Sequence, residues 1–531
     1  MSTTPMPAAD GIDEPVDLGD PIIHDARQRR AILIAVCIAL MAVIASVSGL
    51  NVAQPELAVE FDASQSTVLW FINLYTLSLA ALLLPLGALG DRIGRKPVLL
   101  VGLIVFGVAN AAAGLATSTE LMLASRFASG VGAAMIMPVT LAVITSTFPE
   151  GKRAKGIGVW TGVAGGGGIV GMYLSALLVD VATWRWLFAL PVVLVLVALV
   201  MIVRSVPNSR ERTAHRFDLV GSATSGIAVA GLVFALHEGP VHGWTQPATL
   251  AALISGVGAV IVFAAWELRQ AAPLLDVRLF RGRGMASGSL SLLVVFGVQG
   301  GIFVVLFPFL QIVLGWSALQ ATLGMMPMAV LMMLASVLAA QVASRIGARG
   351  TMATGIALGG VGLALMASLV SVDDGYLAVL PGMLAMGLGM GLAMPPSTEA
   401  ITSSLPRERQ GVASALNDVT REFGTALGVA LLGAILSAGY ASAIDGRLDG
   451  LPSDVATTAR EGLANAVAAA DGAGPRADAL VRAAQESFVD AWQLAMWTGA
   501  AVMAVLLASV LARGPESTRR ANRRADESIR T

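Results

Sequence analysis

Cysteine and histidine are scarce in this sequence, and their scarcity removes several kinds of site. The only cysteine, Cys37, lies inside an apolar run, which excludes a disulfide framework and a cysteine-ligated metal site. The four histidines show no metal-ligand spacing; they are His24, His215, His237 and His242. We therefore expect no bound metal and no cofactor.

Charge is also scarce. Charged residues make up 13% of the 531 residues, against about 25% in an average soluble domain. The net charge of −1 gives no basic balance that would favour nucleic acid. No Ser–His–Asp arrangement stands out to indicate an enzyme. Too little charge remains to coat a soluble globule of this size.

Long apolar runs take the place of charge. The mean hydropathy is +0.76, and runs near 20 residues recur, each long enough to cross the ~30 Å hydrocarbon core. The first run follows "RQRR" at 27–30, is too long for a signal peptide and lacks a clear cleavage site, so we interpret it as a retained span. The sequence predicts an all-α polytopic membrane protein. Its fourteen predicted spans lie near 31–53, 68–89, 98–117, 121–145, 157–179, 186–204, 217–236, 248–267, 285–309, 320–343, 350–370, 376–400, 411–438 and 487–512.

The placement of basic residues supports this count. If both termini are cytoplasmic, 27 of the 34 Lys and Arg residues lie in cytoplasmic segments, as the positive-inside rule requires. A wrong count would scramble the alternation after the error. We therefore predict a multi-pass protein of a bacterial inner membrane with both termini in the cytoplasm.

The sequence repeats itself between its two halves. "ITSTFP" (144–149) returns as "ITSSLP" (401–406), and "DRIGRKP" (91–97) returns as "SRIGARG" (344–350), at offsets of 257 and 253. Both members of each pair fall at cytoplasmic ends, so the halves run in the same direction. The offset leaves room for two extra spans between two six-span halves. The predicted segments are a cytoplasmic tail (1–30), a six-helix bundle (31–204), two inserted helices with linkers (205–284), a second six-helix bundle (285–512) and a cytoplasmic tail (513–531).

Several motifs resemble those of one family. "GALGDRIGRKP" (87–97), "LMLASRFASGVGAA" (121–134), "WRW" (184–186), "FDLVG" (217–221) and "LLDVRLF" (274–280) are similar to motifs of the major facilitator superfamily, in its fourteen-span drug:proton antiporter branch. The resemblance covers about residues 30–435 and implies two bundles that rock about a midplane cavity. The chain departs from the branch in its fifth span, with Met172, Ser175 and Ala176, and in its first, with Ser46 where an acid is usual. These departures leave the direction and coupling of transport open.

The resemblance implies a conformational gate in the loop after the second span. Asp91 would face the positive N-terminus of span thirteen, which begins near Gly411, and this contact favours one state of the gate. A loop that only fixes topology is the alternative interpretation. The gate residues implied by the motif are Gly87, Gly90, Asp91, Arg92, Gly94, Arg95 and Lys96.

Charged residues inside spans are the candidates for proton coupling, because such residues are costly in a membrane and usually functional. Arg126 lies near the outer end of span four, where snorkelling to the interface is the alternative. In span thirteen, Asp418, Arg421 and Glu422 share one face, either as a coupling site or as a structural ion network. Glu399 lies near the cytoplasmic end of span twelve, where an interfacial charge is the alternative, and it follows Pro395–Pro396, which we expect to break that span.

Polar side chains inside other spans are candidates for a substrate cavity, although interhelical hydrogen bonding is an alternative role for the amides. They are Asn51, Asn73, Tyr75, Gln299, Gln311 and Asn417. The predicted loop 439–486 is Ala-rich and is either a small cap or a solvated linker.

We predict a secondary transporter, driven by protons, that exports hydrophobic or amphiphilic drugs by alternating access. A symporter, a lipid or metabolite transporter of the same fold, and a non-transporting sensor are the alternatives. The expected partners are a small hydrophobic substrate, protons and the lipid bilayer, with the protein acting as a monomer.

Overall fold

The computed structural model describes residues 22–50, 53–209, 217–449 and 451–515. All the regular secondary structure in these ranges is helical. They are α1 (Ala26–Leu50), α2 (Gln54–Glu60), α3 (Gln65–Ile93), α4 (Arg95–Gly114), α5 (Thr119–Thr147), α6 (Glu150–Val181), α7 (Trp186–Ser205), α8 (Leu219–His242), α9 (Pro247–Glu267), α10 (Arg283–Pro308), α11 (Ala318–Leu369), α12 (Tyr376–Thr402), α13 (Gln410–Asp445), α14 (Ser453–Arg460), α15 (Leu463–Ala468) and α16 (Ala477–Arg513). In this described part of the chain, thirteen helices are long and apolar enough to cross a membrane, namely all except α2, α14 and α15.

Helix α11 contains two spans. It has 52 residues, and its Gly347 has a left-handed φ of +82° inside otherwise helical backbone. The shorter part, residues 348–369, is still ~33 Å long at ~1.5 Å per residue, enough to cross the ~30 Å core. The helical segments that correspond to the predicted spans 320–343 and 350–370 therefore meet at the single residue Gly347, and the described residues contain fourteen segments long enough to cross a membrane.

The same joint occurs in the first half of the chain. Gly94 is the only residue between α3 and α4, and its φ is +120°. Only glycine adopts such angles at little cost. Gly94 and Gly347 are 253 positions apart, which is the offset of the "DRIGRKP" and "SRIGARG" repeat. The sequence repeat is thus a structural repeat.

Helix pairs in the two halves also approach each other in equivalent ways. A Cβ atom on Gly132 of α5 would lie 2.7 Å from the Phe106 nitrogen of α4. A Cβ atom on Gly389 of α12, 257 positions later, would lie 2.5 Å from the Gly359 nitrogen of α11. Small residues allow such close backbone contact between membrane helices.

The buried side chains form two main clusters. One cluster joins α1 with α3–α7, and a second joins α10–α13 with α16. Helices α8 and α9 pack on each other so closely that a Cβ atom on Gly231 would lie 2.7 Å from the Ala252 carbonyl oxygen. Helix α8 also contacts α3 and α13, whereas most of α9 is exposed. The inserted pair therefore lies beside both bundles.

Helix α12 differs from the expectation of a break at Pro395–Pro396. It is continuous from Tyr376 to Thr402. Proline is tolerated in membrane helices where side chains and neighbouring helices compensate for the missing N–H groups. Here both prolines are buried among neighbouring helices.

The segment after span thirteen forms a helical cap. Helices α13 and α16 extend beyond the predicted span ends, to Asp445 and back to Ala477, and α14 and α15 lie between them. The Tyr440 hydroxyl donates to the Ala459 carbonyl oxygen at 2.9 Å, and Leu463 and Ala466 are buried with Ala459. The segment was expected to form either a small cap or a solvated linker, and the structure shows a cap.

Candidate functional site

Asp91 joins the two bundles at one end of the molecule. Its Oδ1 and Oδ2 accept hydrogen bonds from the backbone nitrogens of Gly411 and Val412, at 2.8 and 3.0 Å. These N–H groups belong to the first turn of α13, where the helix dipole favours a carboxylate. Asp91 is only 1% exposed, so water screens this contact little.

Arg95 completes the contact. It is fully buried and pairs with Asp91 at 2.9 Å, one helical turn away across the Gly94 joint. Its guanidinium also donates to the carbonyl oxygens of Arg407 and Glu408, at 2.8 and 3.1 Å, and to the Ser209 hydroxyl at 3.2 Å. Arg95 therefore links the α3–α4 joint to the segment before α13 and to the chain after α7.

The other motif residues have different surroundings. A Cβ atom on Gly87 would lie 2.7 Å from the Gly411 carbonyl oxygen, so this glycine permits the crossing of α3 and α13. Gly90 faces Val139, with 3.0 Å between its hypothetical Cβ and the valine Cγ2. The Lys96 amine donates to the Val203 carbonyl oxygen at 2.8 Å, near the C-terminus of α7. Arg92 is exposed.

We call the end of the molecule that holds Asp91, Gly94 and the start of α13 the Asp91 end. Further contacts close the bundles here. A Cβ atom on Gly158 of α6 would lie 2.5 Å from the Ser336 carbonyl oxygen of α11. Exposed Glu150 pairs with half-buried Arg407 at 3.8 Å, near the surface. Exposed pairs contribute little, so the backbone contacts and Asp91 dominate the closure.

Arg126 is fully buried inside the first bundle, so it does not snorkel to the interface. Its guanidinium donates to the Phe71 carbonyl oxygen at 2.8 Å and to the Ser46 hydroxyl at 3.0 Å. It lies 4.4 Å from the centre of the Tyr75 ring. The Ser46 hydroxyl in turn donates to Asn110 Oδ1 at 2.9 Å. Among the described residues no carboxylate lies within ion-pair distance of Arg126, which is an unusual environment for a buried cation.

The α13 charges lie about halfway along the interface between the bundles. Asp418 is fully buried, and its Oδ1 accepts from Arg421 at 3.3 Å and from the Asn417 amide at 3.2 Å. Its Oδ2 has no partner among the described protein atoms. Arg421 and Gln299 donate across the interface to the carbonyl oxygens of Ala164 and Gly165, each at 3.4 Å.

Aromatic rings enclose the Arg421 guanidinium. Phe296 lies 4.5 Å from it and Trp160 lies 5.3 Å from it, measured to the ring centres. Such cation–π contacts stabilise a desolvated cation. Glu422 is half-buried, and its carboxyl group and the Arg126 guanidinium both lie within electrostatic range of the Tyr75 hydroxyl. The Tyr75 side chain is therefore near charges of both bundles.

The remaining candidates are spread out. Glu399 is half-buried at the Asp91 end, within electrostatic range of Arg153. Asn73 is half-buried in α3. Gln311 lies near the far end of α10, in a π-helical turn, and is half-buried. Asn51 lies outside the described residues.

Some residues of the site were missed by the sequence reasoning. The Ser209 hydroxyl and the backbone carbonyl groups of residues 407 and 408 accept hydrogen bonds from Arg95. Every residue type has a backbone carbonyl group, so the sequence could not identify the last two acceptors. Trp160 was detectable as a large aromatic residue beside a glycine run, and its indole donates to the Thr140 hydroxyl at 3.1 Å. Within the described ranges, no group of three or more His, Cys, Asp or Glu residues could hold a metal ion.

A two-bundle helical fold with charged side chains between the bundles defines a multi-pass membrane transporter rather than an enzyme. The sequence profile of the Major Facilitator Superfamily matches residues 36–429, and the chain belongs to this superfamily. This confirms the predicted family and fold.

Curated relatives include drug-resistance proteins. The chain is 30% identical over 488 residues to the multidrug resistance protein Stp of Mycobacterium tuberculosis (strain CDC 1551 / Oshkosh), covering 89% of this chain and 90% of the relative. It is 34% identical over 439 residues to the multidrug efflux pump LfrA of Mycolicibacterium smegmatis (strain ATCC 700084 / mc(2)155), covering 82% and 86%. A solved structure of the proton:xylose symporter XylE shares the fold, with a TM-score of 0.57, 16% identity and coverage of 93% and 97%.

Proposed function

We propose that this transporter exports hydrophobic or amphiphilic small molecules in exchange for protons, from a bacterial inner membrane and with both termini in the cytoplasm. The printed names of Stp and LfrA, multidrug resistance and multidrug efflux, support this substrate class. The observation that carries proton coupling is the Asp418–Arg421 pair at the bundle interface. Among the described residues, no protein group binds Asp418 Oδ2.

The pair suits a proton switch because one of its members also binds the other bundle. Arg421 contacts Asp418 in its own helix and the Ala164 carbonyl oxygen of α6. Rocking of the bundles would change the α6 contact and so the position of the cation next to Asp418. A carboxyl group that gains or loses a nearby cation changes its proton affinity. Conformation and protonation are thereby coupled.

Glu422, Tyr75 and Arg126 extend this proposal into the first bundle. The Arg126 guanidinium lies over the Tyr75 ring, and the Glu422 carboxyl group is within electrostatic range of the Tyr75 hydroxyl. With Ser46 at the position where the family branch usually has an acid, Glu422 is the carboxyl group available to interact with Arg126 through Tyr75. Glu399, near Arg153 at the Asp91 end, is the further coupling candidate.

The Asp91 site is proposed as the gate. Its carboxylate binds α13 only while the bundles are closed at this end, so each transport cycle must break these two hydrogen bonds. The substrate would bind between the bundles, near Tyr75, Asn73, Gln299 and Asn417. Gln311 and Asn51 remain candidates for the same cavity.

The experiment measures protons and substrate together. The purified protein is reconstituted into vesicles, and a lipophilic cationic dye is added while proton release and dye uptake are recorded. We expect Asp418→Asn and Glu422→Gln to reduce dye-induced proton release strongly. Asp445→Asn, at the exposed end of the same helix, is the matched control and should behave as wild type.

The outcomes separate the alternatives. If both variants release protons and move dye like wild type, the α13 charges are a structural network and proton coupling through them is wrong. Dye movement along with protons, instead of against them, would indicate a symporter. Vesicles that move no dye but bind it would favour a non-transporting sensor.

A further inference from the structure

A groove opens sideways between the inserted helices and the second bundle. Its volume is about 450 Å³, and residues of α8, α9, α10 and α13 line it. The lining is apolar except for Ser289 and Thr420 and includes Leu232, Val260, Leu293 and Phe423. Several of these side chains are exposed to the surroundings of the protein, including Val260 and Leu290 at 42% and 41%.

The groove lies in the half of the membrane next to the Asp91 end. Its lining on α10 begins at Ala286, near the helix start at Arg283, and reaches Leu293. This depth is about 15 Å at ~1.5 Å per residue, or half of the hydrocarbon core. Phe280, in the linker before α10, closes its outer end. The groove therefore follows one leaflet from the interface towards the midplane.

The linker that contributes Phe280 to the outer end of the groove is rich in basic residues. The linker 268–282 and the first residue of α10 carry four exposed arginines, Arg269, Arg278, Arg281 and Arg283. Asp276 is the only acid in this linker, and its carboxylate is used to accept from the Arg278 backbone nitrogen at 3.0 Å. Arg269 and Arg281 form no ion pair with any described residue.

An apolar groove that opens to a leaflet and carries arginines at the headgroup level has the two features of a phospholipid site. Hydrocarbon fills the groove, and phosphate binds the guanidinium groups. We propose that this groove binds an anionic phospholipid, with an acyl chain between α8, α10 and α13 and its headgroup on Arg269 and Arg281.

The position of the groove gives the lipid access to the transport machinery. Val419, Thr420 and Phe423 line it, whereas Asp418, Arg421 and Glu422 lie on the opposite side of α13, since successive residues are separated by about 100°. The acyl chain therefore packs against the back of the helix that carries the charged pair. It also fills the space between that helix and α8, which contacts the first bundle through α3.

The test compares two lipids with identical acyl chains. The full-length protein in detergent is titrated with phosphatidylglycerol or phosphatidylcholine, and bound lipid is counted by native mass spectrometry. We expect the wild type to retain phosphatidylglycerol selectively. Arg269→Gln combined with Arg281→Gln should weaken phosphatidylglycerol binding about tenfold or more, since each surface arginine contributes ~1 kcal/mol to anionic lipid binding.

Two sets of variants distinguish the contribution of the headgroup contacts from that of the groove and from general misfolding. Arg204→Gln combined with Arg345→Gln removes two exposed arginines from the same end of the molecule but away from the groove, and should bind lipid as wild type does. Ala286→Trp fills the groove, whereas Ala501→Trp places the same side chain on exposed α16. Only Ala286→Trp should displace phosphatidylglycerol.

Three results would overturn the proposal. They are equal retention of the two lipids by the wild type, equal losses in the arginine variant and its arginine control, and undiminished phosphatidylglycerol binding by Ala286→Trp. Displacement of phosphatidylglycerol by the dye in both the wild type and Ala501→Trp would assign the groove to substrate and overturn the proposal as well. None of these measurements depends on proton-driven export.

Discussion

The Asp91 carboxylate binds groups from both halves of the chain, Arg95 on its own side and the first turn of α13 on the other. Asparagine keeps the size of the side chain but removes the charge, and its NH2 group cannot accept from a backbone N–H. We expect Asp91→Asn to insert normally and to lose transport by about tenfold or more, because hydrogen bonds to charged groups contribute ~1.5–3 kcal/mol each. Dye uptake into vesicles measures the loss.

A matched control for this variant exists in α5. Glu120 also lies in the first turn of a helix, but it is exposed and contacts no second bundle. Glu120→Gln should transport at the wild-type rate. Wild-type transport by correctly inserted Asp91→Asn would remove the gate from the mechanism.

At the residue scale, the sequence predicted which residues lie near helix ends better than it predicted which groups each side chain contacts. The proximity of Asp91 to the start of α13 was accessible because both the motif and the span boundary could be located. The burial of Arg126 was not, because burial depends on how α1, α3 and α5 pack, and a cation near a span end fits snorkelling equally well. The role of each of these residues stays a prediction.

At the scale of elements, the contact between α6 and α11 controls how closely the bundles meet. The hypothetical Cβ of Gly158 lies 2.5 Å from backbone oxygen of Ser336, so Gly158→Ala must push the two helices apart. Overpacking of this kind costs ~1–3 kcal/mol. We expect the Asp91 end to open more often, by about fivefold or more.

Thiol labelling measures this opening. Ser414, fully buried in α13 near Asp91, is replaced by cysteine in a Cys37→Ser background, and its rate of reaction with a soluble maleimide is recorded. Gly158→Ala should accelerate labelling. Gly168→Ala is the control from the same helix, because nothing lies within 4 Å of its Cβ position. Equal rates in the two variants would contradict the proposed role of this contact.

The cap provides a prediction about pH. Arg482 of α16 binds Asp373, in the loop between α11 and α12, at 2.7 Å, and its hydrogen bonds hold the pKa of Asp373 below the ordinary value. A lowered pKa stabilises the folded state above the ordinary pKa of ~3.9, and this contribution disappears as the pH falls through the folded-state value. Asp373→Asn should therefore increase hydrogen exchange in the cap slightly at pH 7. The difference from wild type should vanish in acid.

The neighbouring acid is the control for that experiment. Asp374 accepts a hydrogen bond from Ser371 of the same loop and does not contact the cap. Asp374→Asn should leave exchange in residues 453–476 unchanged at both pH values. An effect of Asp373→Asn that persists in acid would mean that the charge is not its cause.

Element boundaries were predicted less well than element number. Apolar runs mark the part of a helix inside the membrane, so the predictions stopped at 438 and resumed at 487, while α13 and α16 continue into the polar cap. The two prolines of α12 were expected to break it, because sequence pattern alone does not show the packing that keeps the helix continuous.

At the scale of the whole molecule, an even number of spans places both termini on one side of the membrane. We expect Thr457→Cys in the cap to react with an impermeant thiol reagent in intact cells, in a Cys37→Ser background. Ala271→Cys, in the arginine-rich linker, should react only after permeabilisation. Both positions are exposed in the structure, so a difference between them reports sidedness. The reverse pattern would invert the proposed orientation.

The overall architecture was the most predictable level of the structure. The two sequence repeats predicted that the halves run in the same direction. Their offset is longer than six spans require, which predicted two inserted spans. Gly94 and Gly347, and likewise Gly132 and Gly389, occupy equivalent places in the folded chain. The groove between the inserted pair and the second bundle could not be predicted, since it arises from the shapes of four helices at once.

The one-residue joints at Gly94 and Gly347 have a consequence for how the length of this chain can vary. Adding or removing one residue there would rotate every side chain of the next span by about 100°, and no slack exists to absorb the change. Lipid-facing and core-facing residues would then exchange places along a whole helix. Insertions, natural or engineered, should therefore avoid these joints, and an epitope tag is better placed in a longer connection such as the segment between α13 and α16.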